Sequence, residues 1–91
     1  MMEEISFEIP DKLDRLDHAE YRVRRKISIN INTPPEVLAY LANDKDEWVR
    51  IGVAWNKNTP PEVLAKLVED VDRGVRRGVA RNKNTPPEIL G

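Results

Sequence analysis

The chain is predicted to be all-α, a solenoid of 26-residue repeats with two short helices in each. Three observations predict this. The block Asn-Thr-Pro-Pro-Glu occurs three times, at Asn32–Glu36, Asn58–Glu62 and Asn84–Glu88. Its threonines, Thr33, Thr59 and Thr85, are evenly spaced, since 59 − 33 = 85 − 59 = 26. Each block is followed by apolar residues at helical spacing and preceded by a second amphipathic stretch. A fixed period in this range is the signature of one small unit stacked on copies of itself.

The 91 residues form one domain. Residues 1–19 read as an acidic N-terminal capping segment, 20–45 and 46–71 as full repeats, and 72–91 as an incomplete third. Residues 1–20 hold seven acids against Lys12 and Arg15, a net of −5. The rest of the chain holds 13 basic and nine acidic side chains, a net of +4. A polar N-terminal end suits an array whose first unit faces water. Within it Pro10-Asp11-Lys12-Leu13-Asp14-Arg15-Leu16 echoes Pro35–Leu41 and reads as a degenerate helix copy. Residues 1–8 read as an extended tail.

Thr59-Pro60-Pro61-Glu62 has the form of a capping box. Thr59 is expected at the N-cap and Pro60 at the first helical position, where its missing N–H costs nothing. The helix is expected to reach about Glu69, with Val63, Leu64, Leu67 and Val68 as its buried stripe. A second helix is signalled by Asp46 through Ala54, with Asp46 as its N-cap and Val49 and Val53 facing inward. Asn56-Lys57-Asn58 then turns the chain. The core ladder reads Val23/Val49/Val75, Ile27/Val53/Val79, Val37/Val63/Ile89, Leu38/Leu64/Leu90 and Leu41/Leu67. The third repeat stops at Gly91, inside its first helix. Its end is expected to fray, to continue in a longer chain or to pair with a second molecule as a two-fold dimer, and the dimer is the favoured reading.

The unit resembles the leucine-rich repeat variant family. That family's pattern, V-R-x-x-V-A-x-N-x-x-T-P-P-E-x-L-x-x-L-A-x-D, is matched by Val49-Arg50, Val53-Ala54, Asn56, Thr59–Glu62, Leu64, Leu67 and Asp70, and the match spans residues 21–91. The resemblance implies a right-handed superhelix in which α- and 3₁₀-helices alternate, so that one helix of each repeat is 3₁₀. Some members hold an iron–sulfur cluster on N-terminal cysteines. This chain has no cysteine, so that cluster is not carried over and no cofactor is expected. HEAT-type repeats share the Val-Arg signature but are about 40 residues or longer.

Three features are candidates for function. Arg24, Arg50 and Arg76 share one repeat position, with Glu20, Asp46 and Asp72 four residues before them, where an acid supports a helix by an ion pair; a partly buried arginine–aspartate ladder between adjacent repeats is the equal alternative. A structural role is expected for these three. The less regular Arg25, Arg77 and Arg81 are the ones left for a ligand, with Arg22, Lys26 and Arg73 nearby. Trp48, Trp55 and Tyr40 fall where other repeats hold polar or small residues: Trp48 aligns with Arg22 and Gly74, Trp55 with Ile29 and Arg81, Tyr40 with Lys66. A position that takes arginine or lysine elsewhere is expected to be exposed. With Ile51, aligned with Arg25 and Arg77, the two tryptophans share one helical face and form an apolar patch, the kind of surface on which partners bind. The alternative is that they cover a shallow core. The pairs Asn30/Asn32, Asn56/Asn58 and Asn82/Asn84 are expected to bond backbone in the turns, and Asp44/Asp46 and Asp70/Asp72 to act as caps. His18 reads as solvated.

No phosphate loop, nucleophile–base set or metal cluster appears in the sequence, so no enzyme is expected. No run approaches the ~20 apolar residues of a membrane span, and the acidic N-terminus is not a signal peptide; a cytoplasmic protein is the expectation. The leading functional reading is a non-catalytic scaffold that binds a protein partner. The alternative is nucleic-acid binding by the basic repeat body, which a steep fall of affinity with salt would reveal.

Overall fold

The computed structural model describes residues 20–90. The expected capping segment 1–19, its helix echo and His18 lie outside the described residues. Five α-helices follow in order: α1 (Tyr21–Ile29), α2 (Pro35–Leu41), α3 (Glu47–Trp55), α4 (Pro61–Leu67) and α5 (Arg73–Arg81), then a 3₁₀ turn at Pro87–Ile89. Among the described residues there is no strand.

The three longer helices lie side by side, α3 against α1 and against α5. The shorter α2 packs on α1 and α3, and α4 on α5. The core lies between the two sets. Val49, Val53, Val75, Val79, Leu38, Leu41 and Leu64 are fully buried, and Ile27, Val37, Val63 and Leu67 join them in one cluster. Three ladder positions depart from this. Val23 is 38% exposed and Leu90 47%, and Ile89 is half-buried. The helix copy expected at Pro10–Leu16, one repeat before α2, lies outside the described residues. Ile89 and Leu90 lie on the last described turn.

The Asp-headed helices start as the sequence predicts. The Asp46 carboxylate accepts from Trp48 N at 2.8 Å, and that of Asp72 from Gly74 N at 2.7 Å and Val75 N at 3.2 Å. The Thr-Pro-Pro-Glu helices start differently. Thr59 is not an N-cap; that position belongs to Pro60, which has extended ψ 154, and the helix begins at Pro61. The reason is steric: a residue before proline is pushed out of the helical region, so the second proline of the pair opens the helix. The helix also ends earlier than expected, at Leu67, with Val68 as its C-cap.

The threonine faces the other way. Thr33, Thr59 and Thr85 are buried, and each hydroxyl donates to a carbonyl near the end of the preceding long helix: Ile27, Val53 and Val79. For Thr59 the distance is 2.7 Å. Thr59→Ala is therefore expected to cost about 1–2 kcal/mol, through a helix C-terminus left short of a donor. An unchanged urea midpoint would contradict this.

Both α2 and α4 are α-helices, with i→i−4 bonds such as Leu38 N to Pro34 O at 3.2 Å and Leu64 N to Pro60 O at 3.1 Å. The alternation of α and 3₁₀ is therefore absent from the first two units. Only Pro87–Ile89 is 3₁₀ among the described residues, held by the i→i−3 bonds Ile89 N to Pro86 O and Leu90 N to Pro87 O.

The asparagines tie neighbouring units together. Asn56 Nδ2 donates to Ser28 O at 2.8 Å and Asn30 O at 2.9 Å, while its Oδ1 accepts from Asn58 N at 2.8 Å. Asn82 does the same one repeat on, donating to Ala54 O at 2.7 Å and Asn56 O at 3.0 Å. Asn58 and Asn84 add a second rung, to Ile31 O and Thr33 O, and to Lys57 O and Thr59 O. Asn56 and Asn82 thus fasten their own turn and the turn of the preceding unit, while Asn58 and Asn84 bond the preceding unit alone. Asn56 is 4% exposed, so Asn56→Ala takes a donor from the buried Ser28 carbonyl and is expected to cost about 2 kcal/mol. Denaturation should show a smaller loss for Asn58→Ala, whose bonds lie nearer solvent; equal losses would contradict the assignment.

Candidate functional site

The regular arginines are structural. Arg24 grips Asp44 through Nε at 2.7 Å and Nη2 at 3.1 Å. Arg50 grips Asp70 at 2.9 and 3.2 Å and also donates to Asp44 O at 2.7 Å. Both pairs have side chains that are mostly buried. The partner is thus an acid beyond the following short helix. It is not the acid four residues before, which in Asp46 and Asp72 is occupied capping its helix. The hydrogen bond to Asp70 holds the Arg50 guanidinium above its ordinary pKa, against burial. A base raised in this way contributes stability below its ordinary pKa and loses it only as pH rises through the higher value, so Arg50 itself stays charged as the solution is made alkaline. Arg76 is exposed and bonds Asp70 O at 2.8 Å and Val71 O at 3.1 Å, without a carboxylate.

The irregular cations stand on the opposite side of the same helices. Residues four and seven apart share a helical face, which places Tyr21, Arg25 and Ile29 together on α1, Glu47, Ile51 and Trp55 on α3, and Arg73, Arg77 and Arg81 on α5. The intervening Arg22, Trp48 and Gly74 complete the face. Trp48 is 51% exposed and Trp55 48%, as predicted for positions that hold arginine in other units. Ile51 is half-buried and packs against the core cluster.

Glycine sets how these helices meet. A Cβ on Gly74 would lie 2.9 Å from Ile51 Cδ1, and one on Gly78 would lie 2.8 Å from Trp55 Cδ1. Ile51 and Trp55 therefore lean onto α5, over its glycines. Trp48 leans the other way, with the Arg25 guanidinium over its ring at 5.3 Å from the centroid. A cation in that position is worth about 0.5–1 kcal/mol at an exposed site. A shallow cleft of ≈ 410 Å³ opens beside it, lined by Tyr21, Arg22, Arg25, Lys26, Ile29 and Trp48.

The arrangement brings together Trp48, Ile51, Trp55, Arg25, Arg77 and Arg81. It does not bring Tyr40 to them. Tyr40 sits on α2, half-buried, and lines a separate cleft of ≈ 390 Å³ with Arg24, Asn43, Asp44 and Lys45. The sequence made it a candidate contact by residue type, and the shorter helix carries it to the buried arginine pair. Conversely Glu47, which the sequence did not single out, stands exposed among the tryptophans; its i−4 spacing from Ile51 was the available signal. None of Arg22, Arg25, Lys26, Arg73, Arg77 and Arg81 makes an ion pair among the described residues. Six cations against Glu47 give the face a net of 6 − 1 = +5. Among the described residues no group of three or more His, Cys, Asp or Glu could hold a metal ion.

Compared with protein-family models, curated proteins and solved structures, the chain finds no match.

Proposed function

We propose that the chain is a non-catalytic scaffold: a right-handed superhelical array of 26-residue repeats, of the leucine-rich repeat variant kind, that binds a protein partner. The observation that carries the reading is the outer face of α1, α3 and α5. Two half-exposed tryptophans stand there among cations that make no ion pair among the described residues. A charge left without a partner on a surface, next to large aromatic area, is what an interface needs for both steering and anchoring. The recurrence of the asparagine, threonine and arginine–aspartate bonds at the sequence period supports the array. No described helix is long and apolar enough to cross a membrane, and a chain without cysteine suits a reducing compartment, so the proposed setting is the cytoplasm.

The test is affinity capture from extract of the source cells, with the intact chain and with Trp48→Ser and Trp55→Ser. The partner is expected to be enriched by the unaltered chain and lost from both variants, while their melting curves stay close to it. The same proteins captured by all three would sink the reading.

A further inference from the structure

We infer that the partner docks an extended segment in which bulky apolar residues stand between two acidic clusters. This rests on the protein-binding reading above and names its ligand. The charge on the face is not spread evenly. The α1 rung holds Arg22, Arg25 and Lys26, and the α5 rung holds Arg73, Arg77 and Arg81. The α3 rung between them has no cation on this face; it offers Trp48, Ile51, Trp55 and the carboxylate of Glu47. The surface is therefore basic, apolar, basic across the three helices.

Spacing turns this into a ligand pattern. Packed helices stand about 8–10 Å apart, so the two basic rungs are about 16–20 Å apart. An extended chain advances about 3.3 Å per residue, and crosses that distance in about five or six residues. A segment with acids at both ends of such a stretch and a leucine, phenylalanine or similar side chain midway meets each rung with its own chemistry. The guanidinium of Arg25, 5.3 Å from the Trp48 ring centroid, carries five N–H donors, enough to meet a carboxylate from beside the ring.

A uniform polyanion fits less well. A nucleic-acid strand carries charge at every step and would set phosphates over the central rung, where Glu47 repels them and no cation receives them. The chain as a whole is at −1, which gives no long-range pull on a polyanion. A second copy of the same face fits worse still, since both carry +5.

The probe is a synthetic peptide of about nine residues, long enough to cross both rungs in extended form, with a leucine–phenylalanine pair between two pairs of glutamates. Its controls are the same composition with all four glutamates at one end, the version with glutamines in place of glutamates, and a short oligothymidylate. Tryptophan fluorescence of the full chain reads binding. The patterned peptide is expected to bind at least about tenfold more tightly than either peptide control, with affinity falling as salt rises. Arg25→Glu with Arg77→Glu should abolish that advantage; Arg25→Gln with Arg77→Gln serves if the reversal alters the melting curve. Equal binding of the block peptide, tighter binding of the oligonucleotide, or no saturable change up to millimolar peptide would overturn the inference. If the peptide arm fails while Trp48→Ser still loses the captured partner, only the ligand pattern falls; if Trp48→Ser and Trp55→Ser keep that partner, the binding reading falls with it.

Discussion

Leu64→Ala is expected to lower the unfolding free energy by about 2–5 kcal/mol, the range for truncating a fully buried leucine. Leu64 is 0% exposed and lies in α4, the shorter helix that backs α5. Its removal opens a cavity in the single cluster that serves every described helix. Small domains have little stability to lose. The expected result is therefore a chain that is largely unfolded or melts far below the unaltered protein, seen by circular dichroism. The exposed Leu90, at the corresponding position of the third unit, provides the contrast: Leu90→Ala should shift the melt little. A Leu64→Ala protein with an unchanged melting curve would remove the inward face of α4.

Gly52→Ala is expected to cost about 3 kcal/mol, the upper part of the usual range for overpacking. Alanine is intrinsically the better helix former by about 1 kcal/mol, so an isolated helix would gain from this change. Here a Cβ would overlap Ser28 Oγ and lie 2.9 Å from both Ser28 Cβ and Ile29 Cγ2. The Ser28 hydroxyl is bonded to Arg25 O at 2.7 Å and Ser28 is fully buried, so rotation loses that bond and does not move Cβ. The helices α1 and α3 must separate. Because that contact also sets Trp48 over Arg25, the tryptophan emission should shift as well. Gly52→Ala with equal or higher stability would mean the helices do not approach this closely.

Much of this is legible in the sequence because the repeat shows each position up to three times. Val49, Val53, Leu38 and Leu64 are readable as core from their spacing, and all are fully buried. Trp48 and Trp55 are readable as exposed because arginine occupies the same place in other units. The threonines mislead for a local reason. A threonine three residues before a glutamate signals a capping box, but two prolines move the helix start by one residue and turn the hydroxyl back to Val53 O. The arginine partners stay open in the sequence, between the acid four residues before and a partly buried arginine–aspartate ladder, for a longer-range reason. Asp46 four residues before Arg50 fits an ion pair within one helix, whereas Asp70 meets Arg50 only after the chain has turned back through α4. Tyr40 groups with the tryptophans by residue type, and no spacing within one helix separates them. The close contact at Gly52 depends on two helices at once and is not written in either alone.

The binding face is one surface only if α1, α3 and α5 stand in register, and the asparagine side-chain amides report that register directly. Hydrogen exchange of these amides, followed by nuclear magnetic resonance on the full ¹⁵N-labelled chain, is the decisive measurement. Asn56 and Asn82 each donate to two carbonyls of the preceding unit and should exchange far more slowly than free amides, with Asn58 and Asn84 between. Asn30 and Asn32 have no Nδ2 acceptor among the described residues, so the rate of free asparagine amides in an unstructured peptide is the reference. Free-rate exchange of Asn56 and Asn82 in the folded protein would show that the units are not clamped in this register, and the face built on it would not exist.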